Sequence, residues 1–182
     1  MRTMAAGVLL LLMIPAGASA QSTTVPVGGN DKVSLHVAAG PTIVDPGNSV
    51  SAGIGFTPTP RLTLSVTASR DHLNYRRERL SSFRGGTLAT IAGEARVHLA
   101  PGKRVSPYVV GGMGWGVSRP NLQGPFDSRV TNAAQTLFAG GGLEIPLDRR
   151  LSVVADARFM FVAERDSLAA MVPVRVGVAW RF

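Results

Sequence analysis

The stretch MVPVRVGVAWRF, residues 171–182, decides the fold. Every second residue back from Phe182 is apolar: Trp180, Val178, Val176, Val174 and Val172. The residues between them, Arg181, Ala179, Gly177, Arg175 and Pro173, are small or cationic apart from the proline. A period of two with unlike faces specifies a β-strand. Such a strand fits a soluble sheet over a core, or a wall whose apolar face meets lipid. The rest of the chain chooses between them.

The start of the chain favours lipid. Arg2, the apolar run Val8–Ile14 and the small residues Ala18-Ser19-Ala20 form a secretory signal over residues 1–20. The run is about half the roughly 20 apolar residues of a spanning helix, so cleavage after Ala20 is expected rather than anchoring. Export is expected through the Sec pathway. The sequence has no cysteine, which excludes a lipoprotein anchor, a disulfide framework and a thiolate metal site. The formal net charge is +8. A basic exported protein meets anionic lipid or acidic glycans, and export argues against nucleic acid. No segment after residue 20 is one long apolar run. This excludes helical spans and fits alternating strands, whose signal is weak per segment.

Residues 21–31 read as a flexible periplasmic leader, and residues 32–182 as the barrel domain. Alternation places strands at about 32–40, 49–57, 61–69, 87–99, 105–117, 133–147, 151–162 and 171–182. The connections after the first, third, fifth and seventh strands (41–48, 70–86, 118–132 and 163–170) read as the longer set. Those after the second, fourth and sixth are tight. Eight strands with alternating connections predict an all-β fold, an eight-stranded antiparallel up-and-down transmembrane β-barrel with both ends in the periplasm. The alternative is a soluble barrel of lipocalin type, with the bulky face inward. An eight-stranded barrel is just wide enough for side chains to fill. The face of Gly, Ser, Thr and Ala suits that lumen, and the Val, Leu, Ile and Phe face suits lipid.

Six charges fall on the small face: Glu94, Arg96, Glu144, Asp156, Arg158 and Arg175. Buried charges must pair. The expected arrangement is one lumenal salt-bridge network that plugs the barrel. A conducting path with charged rings is the alternative. Trp115, Phe56, Phe159, Phe161, Trp180 and Phe182 lie near strand ends on the apolar face, as interfacial girdles do. Arg76, Arg77 and Arg79, flanked by Arg70 and Arg84, form a basic extracellular loop suited to phosphate or carboxylate. Catalytic candidates are thin. Ser34 and His36 share a strand face, Asp71 and His72 stand at the mouth of the loop, and His98 is near a turn. No triad follows from them. No enzyme activity, cofactor or metal is expected, and the barrel is expected to be a monomer.

Glu94-Ala95-Arg96-Val97-His98-Leu99, Pro101-Gly102 and the run from Pro107 to Trp115 resemble the small bacterial outer-membrane β-barrel family related to OmpA, OmpX and OmpW. So do Gly140-Gly141-Gly142-Leu143-Glu144 and Asp156-Ala157-Arg158-Phe159. The resemblance implies a structural or surface-interaction protein of the bacterial outer membrane, in contact with its lipid and lipopolysaccharide. An OmpW-like narrow path for small or hydrophobic molecules is the second implied role, and lipid A modification a third. Trp180 and Phe182 look like the terminal signal read by the barrel assembly machinery. No peptidoglycan-binding domain of the OmpA kind is expected beyond the last strand.

Overall fold

The computed structural model describes residues 32–43, 46–73, 86–120, 131–164 and 167–182. The expected signal (1–20) and leader (21–31) lie outside these residues, as do Arg76, Arg77, Arg79 and Arg84. The strands are β1 (Val33–Thr42), β2 (Gly47–Thr59), β3 (Leu62–Leu73), β4 (Gly86–His98), β5 (Ser106–Pro120), β6 (Asn132–Pro146), β7 (Leu151–Glu164), β8 (Ser167–Met171) and β9 (Val174–Arg181). Sequential strands from β1 to β8 pair antiparallel, and β9 pairs with both β7 and β1, which closes the sheet.

Nine segments make eight staves. Met160 faces Met171 and Ala157 faces Val174, so β8 and β9 keep one register on β7. The ladder is interrupted at Pro173, which has no N–H to give. Its carbonyl still accepts from Arg158 N at 3.1 Å, and the carbonyl of Val172 accepts from Ile43 N at 2.9 Å. Partners followed once round from Val33 pass through Phe56, Leu64, Ala95, Gly111, Ala139 and Phe159. The path returns through Val172 to Ile43, displaced from position 33 to position 43. Closure with a stagger tilts the staves against the barrel axis. We call the end holding the start of β1 and the end of β9 the turn end, and the opposite end the loop end.

The alternation of faces holds round the barrel. Ser51, Ser65, Thr67, Ser69, Thr90 and Ser152 are buried in the lumen. Leu35, Ile54, Val66, Ile91, Leu137 and Val176 are exposed on the outside. The six aromatic residues named above all face outward. A soluble barrel would leave this bulky face in water.

The connections depart from expectation. Residues 163–170, read as a loop, are mostly strand, and β7 and β8 are separated by two residues. Charge at Arg70, Asp71 and His72 had marked the start of a loop, yet β3 continues to Leu73. Arg70 therefore belongs to the wall and not to the loop. Pro41 had marked the end of the first strand, but β1 runs through it to Thr42 opposite Gly47. Only the connections after β3 and β5 are long.

Candidate functional site

The lumen is the candidate site. On β4, Glu94 and Arg96 point inward because the stave alternates, and on β7 Asp156 and Arg158 do the same. Arg158 sits between the two acids. Its Nη1 donates to Glu94 Oε2, its Nε to Asp156 Oδ1 at 3.2 Å, and its Nη2 to Asp156 Oδ2 at 3.0 Å. Arg175 lies directly opposite Asp156 on β9 and donates to Oδ1 through Nε and Nη2, both at 3.3 Å. Arg96 Nη2 is 3.6 Å from Glu94 Oε1, and Ser65 Oγ donates to the same oxygen at 3.0 Å. Charge-assisted forks of this kind fix geometry as well as charge. Arg175 is 2% exposed, and all five side chains are buried.

The network is not single. Glu144, expected with the others, pairs with Arg181 Nη2 and stands 3.8 Å from His98 Nε2. His98 Nδ1 is in turn 3.3 Å from Ser106 Oγ. The stagger of the staves sets this second cluster toward the turn end. Arg181 and His98 were missed as network members, although both fall on the small face by parity.

Tyr108 joins the two clusters. Its hydroxyl donates to Asp156 Oδ2 at 3.3 Å, the Arg96 guanidinium lies 4.5 Å from its ring centroid, and the His98 ring is 5.7 Å away. Above this layer the lumen is apolar on one side. Leu88, Phe138, Met160, Val162 and Met171 cluster there, with Leu88 0% exposed. The Arg158 guanidinium lies 5.2 Å from the Phe138 ring. Two inward glycines make room for the aromatics. A Cβ on Gly112 would meet Phe138 Cζ at 2.6 Å, and one on Gly142 would meet Tyr108 Oη at 2.7 Å. A face of small residues thus carries a few large ones, which composition alone does not reveal.

The other candidates separate. Ser34 and His36 are both lumenal, and His36 Nε2 lies 3.2 Å from Thr67 Oγ1. Asp71 is buried in the lumen and accepts from Ser69 Oγ at 3.2 Å, while His72 points outward beside Thr87. Among the described residues, no three His, Asp or Glu side chains converge as metal ligands would. Trp180 stands on the outside opposite Leu35 and Leu151, and Phe182 N donates to Val33 O at 3.0 Å.

The sequence matches the family described as outer membrane protein beta-barrel domain over residues 6–182. Among solved structures the chain is similar to Neisserial surface protein A (NspA), at 15% identity and TM-score 0.61, over 82% of this chain and 94% of that one. It is similar to the N-terminal barrel domain of Pseudomonas aeruginosa OprF, at 16% identity and TM-score 0.58, over 85% and 100%. It is also similar to a major outer membrane protein of Thermus thermophilus, at 13% identity and TM-score 0.50, over 83% and 98%. A search of the curated proteins finds no match.

Proposed function

The chain belongs to the outer membrane protein beta-barrel domain family, and from that premise we propose that it is a closed, non-conducting barrel with a structural or surface-interaction role and no catalytic activity. The protein is a bacterial outer-membrane β-barrel of the OmpA and NspA type. The observation that carries the closed reading is the cross-lumen bond from Arg158 on β7 to Glu94 on β4, with Phe138 and Tyr108 packed beside it. Charge pairs with aromatic rings packed against them leave little space in a barrel of this size. Purified barrel in planar bilayers is expected to give no steady conductance. Large, long-lived openings from pure protein would replace this reading with the narrow-channel one.

Export through the Sec pathway with cleavage after Ala20 and insertion by the barrel assembly machinery belong to the same reading. Removing Phe182 costs one backbone bond and one outward ring. Deletion is expected to lower the amount inserted in cells severalfold, while molecules that insert keep the heat-modified gel mobility of a folded barrel. Normal membrane levels of the deletion would argue against Phe182 as an assembly signal.

A further inference from the structure

The outer wall carries a feature that the closed lumen does not explain. On β4 and β5 the outward residues Gly93, Ala95 and Gly111 floor a groove of about 710 Å³, walled by Ile54 on β2, Leu64 on β3 and Met113 on β5. A Cβ built at Gly93 meets nothing within 4 Å, and one at Gly111 meets only a carbonyl at 3.7 Å. These glycines do not relieve crowding, so their effect is to hollow the wall.

Two of these strands carry arginines at the loop end. Arg70 on β3 and Arg119 on β5 are exposed on the outward face. His72 stands one outward position beyond Arg70. His72 faces Thr87, which faces Arg119, so β3 and β5 hold these two side chains about 10 Å apart. On the next two staves, β6 and β7, Asn132 Nδ2 instead donates to Glu164 Oε2 at 3.3 Å. Arg70 faces Ala89, four residues along β4 from Gly93. That is about 13 Å of strand. On a stave tilted about 35–45° this is about 10 Å of depth, which falls within one leaflet's half of a hydrocarbon core about 30 Å thick.

We propose that this wall is a lipid site, taking one phosphorylated, multiply acylated glycolipid of the outer leaflet. Its phosphate lies among Arg70, His72 and Arg119, and one acyl chain fills the groove over Gly93 and Gly111. Arginine pairs bidentately with phosphate, and the small-residue floor lets a chain pack against backbone. The site rests on the outward face meeting lipid and not on the closed lumen, so a conducting barrel would leave it intact.

Native mass spectrometry of the barrel, released from phosphatidylcholine nanodiscs doped with bisphosphorylated lipid A, reads the site directly. The wild type is expected to retain one lipid A, at least tenfold over dephosphorylated lipid A and over phosphatidylglycerol. Gly93→Phe, which fills the groove, and Arg70→Gln with Arg119→Gln, which empties the rim, are each expected to cut retention at least fivefold. Heat-modified gel mobility reports folding, and Gly93→Leu serves if the phenylalanine does not fold. Wild-type retention by the folded groove variant overturns the acyl seat. Equal retention of phosphatidylglycerol or of dephosphorylated lipid A overturns the phosphate seat.

Discussion

Replacing Arg158 by alanine will destabilise the folded barrel by about 3–5 kcal/mol, the range for breaking a buried ion pair from one side. Arg158 is the only group that touches both Glu94 and Asp156 among the bonds described above. Without it, two buried carboxylates share Arg96 and Arg175, the first at 3.6 Å from Glu94 and the second at 3.3 Å from Asp156. Urea unfolding in phospholipid vesicles, followed by the fluorescence of Trp115 and Trp180, measures the change. Adding Glu94→Gln to the alanine variant is expected to recover part of the loss, because the acid that lost its nearest arginine is then neutral. An unchanged midpoint for the single variant would mean that water reaches this layer and screens it, which would also weaken the closed reading.

The second large effect is on the other face. Val176→Arg places a charge on the outside of β9, where Val176 is 59% exposed. At the midplane of a bilayer such a charge costs about 2–4 kcal/mol. The same vesicle assay is expected to show a loss of that size. Ala179→Ser, on the lumenal face of the same strand, is expected to stay within about 1 kcal/mol, because hydroxyls already line that face. A soluble barrel reverses the order: an arginine at an exposed valine would be harmless. The pair of substitutions therefore tests which face meets lipid, independently of any lumenal bond.

How legible this was in the sequence follows from geometry. Face assignment needs only parity, and parity survives errors at strand ends. Every member of the expected charge set is inward for that reason. Partner choice needs the stagger between staves, which no single stave carries. Glu144 and Asp156 share the small face, yet the stagger gives Glu144 to Arg181 and Asp156 to Arg175. Strand ends were misread where local chemistry was taken for structure. Arg70 and Asp71 looked like loop charge, but one is exposed on the outward face of β3 and the other is accommodated among lumenal hydroxyls. Pro173 gave no sign that the last stave extends back to Ser167, because a proline costs a ladder bond without ending the stave. Phe138 and Met160 were overlooked among small neighbours, since a face was judged by its majority.

The placement of the cations also ties two tasks to one stave. Glu144 lies on β6 and Asp156 on β7, but Arg181 and Arg175 both come from β9, the last stave. A partly built wall thus holds one acid with no arginine and another with only part of its shell. Isolated charge beside lipid is costly, so a sheet lacking its final stave gains little by curling shut early. β9 carries both arginines together with the ladder to β1. Closing the wall and completing the charge shells of both acids therefore depend on the same stave.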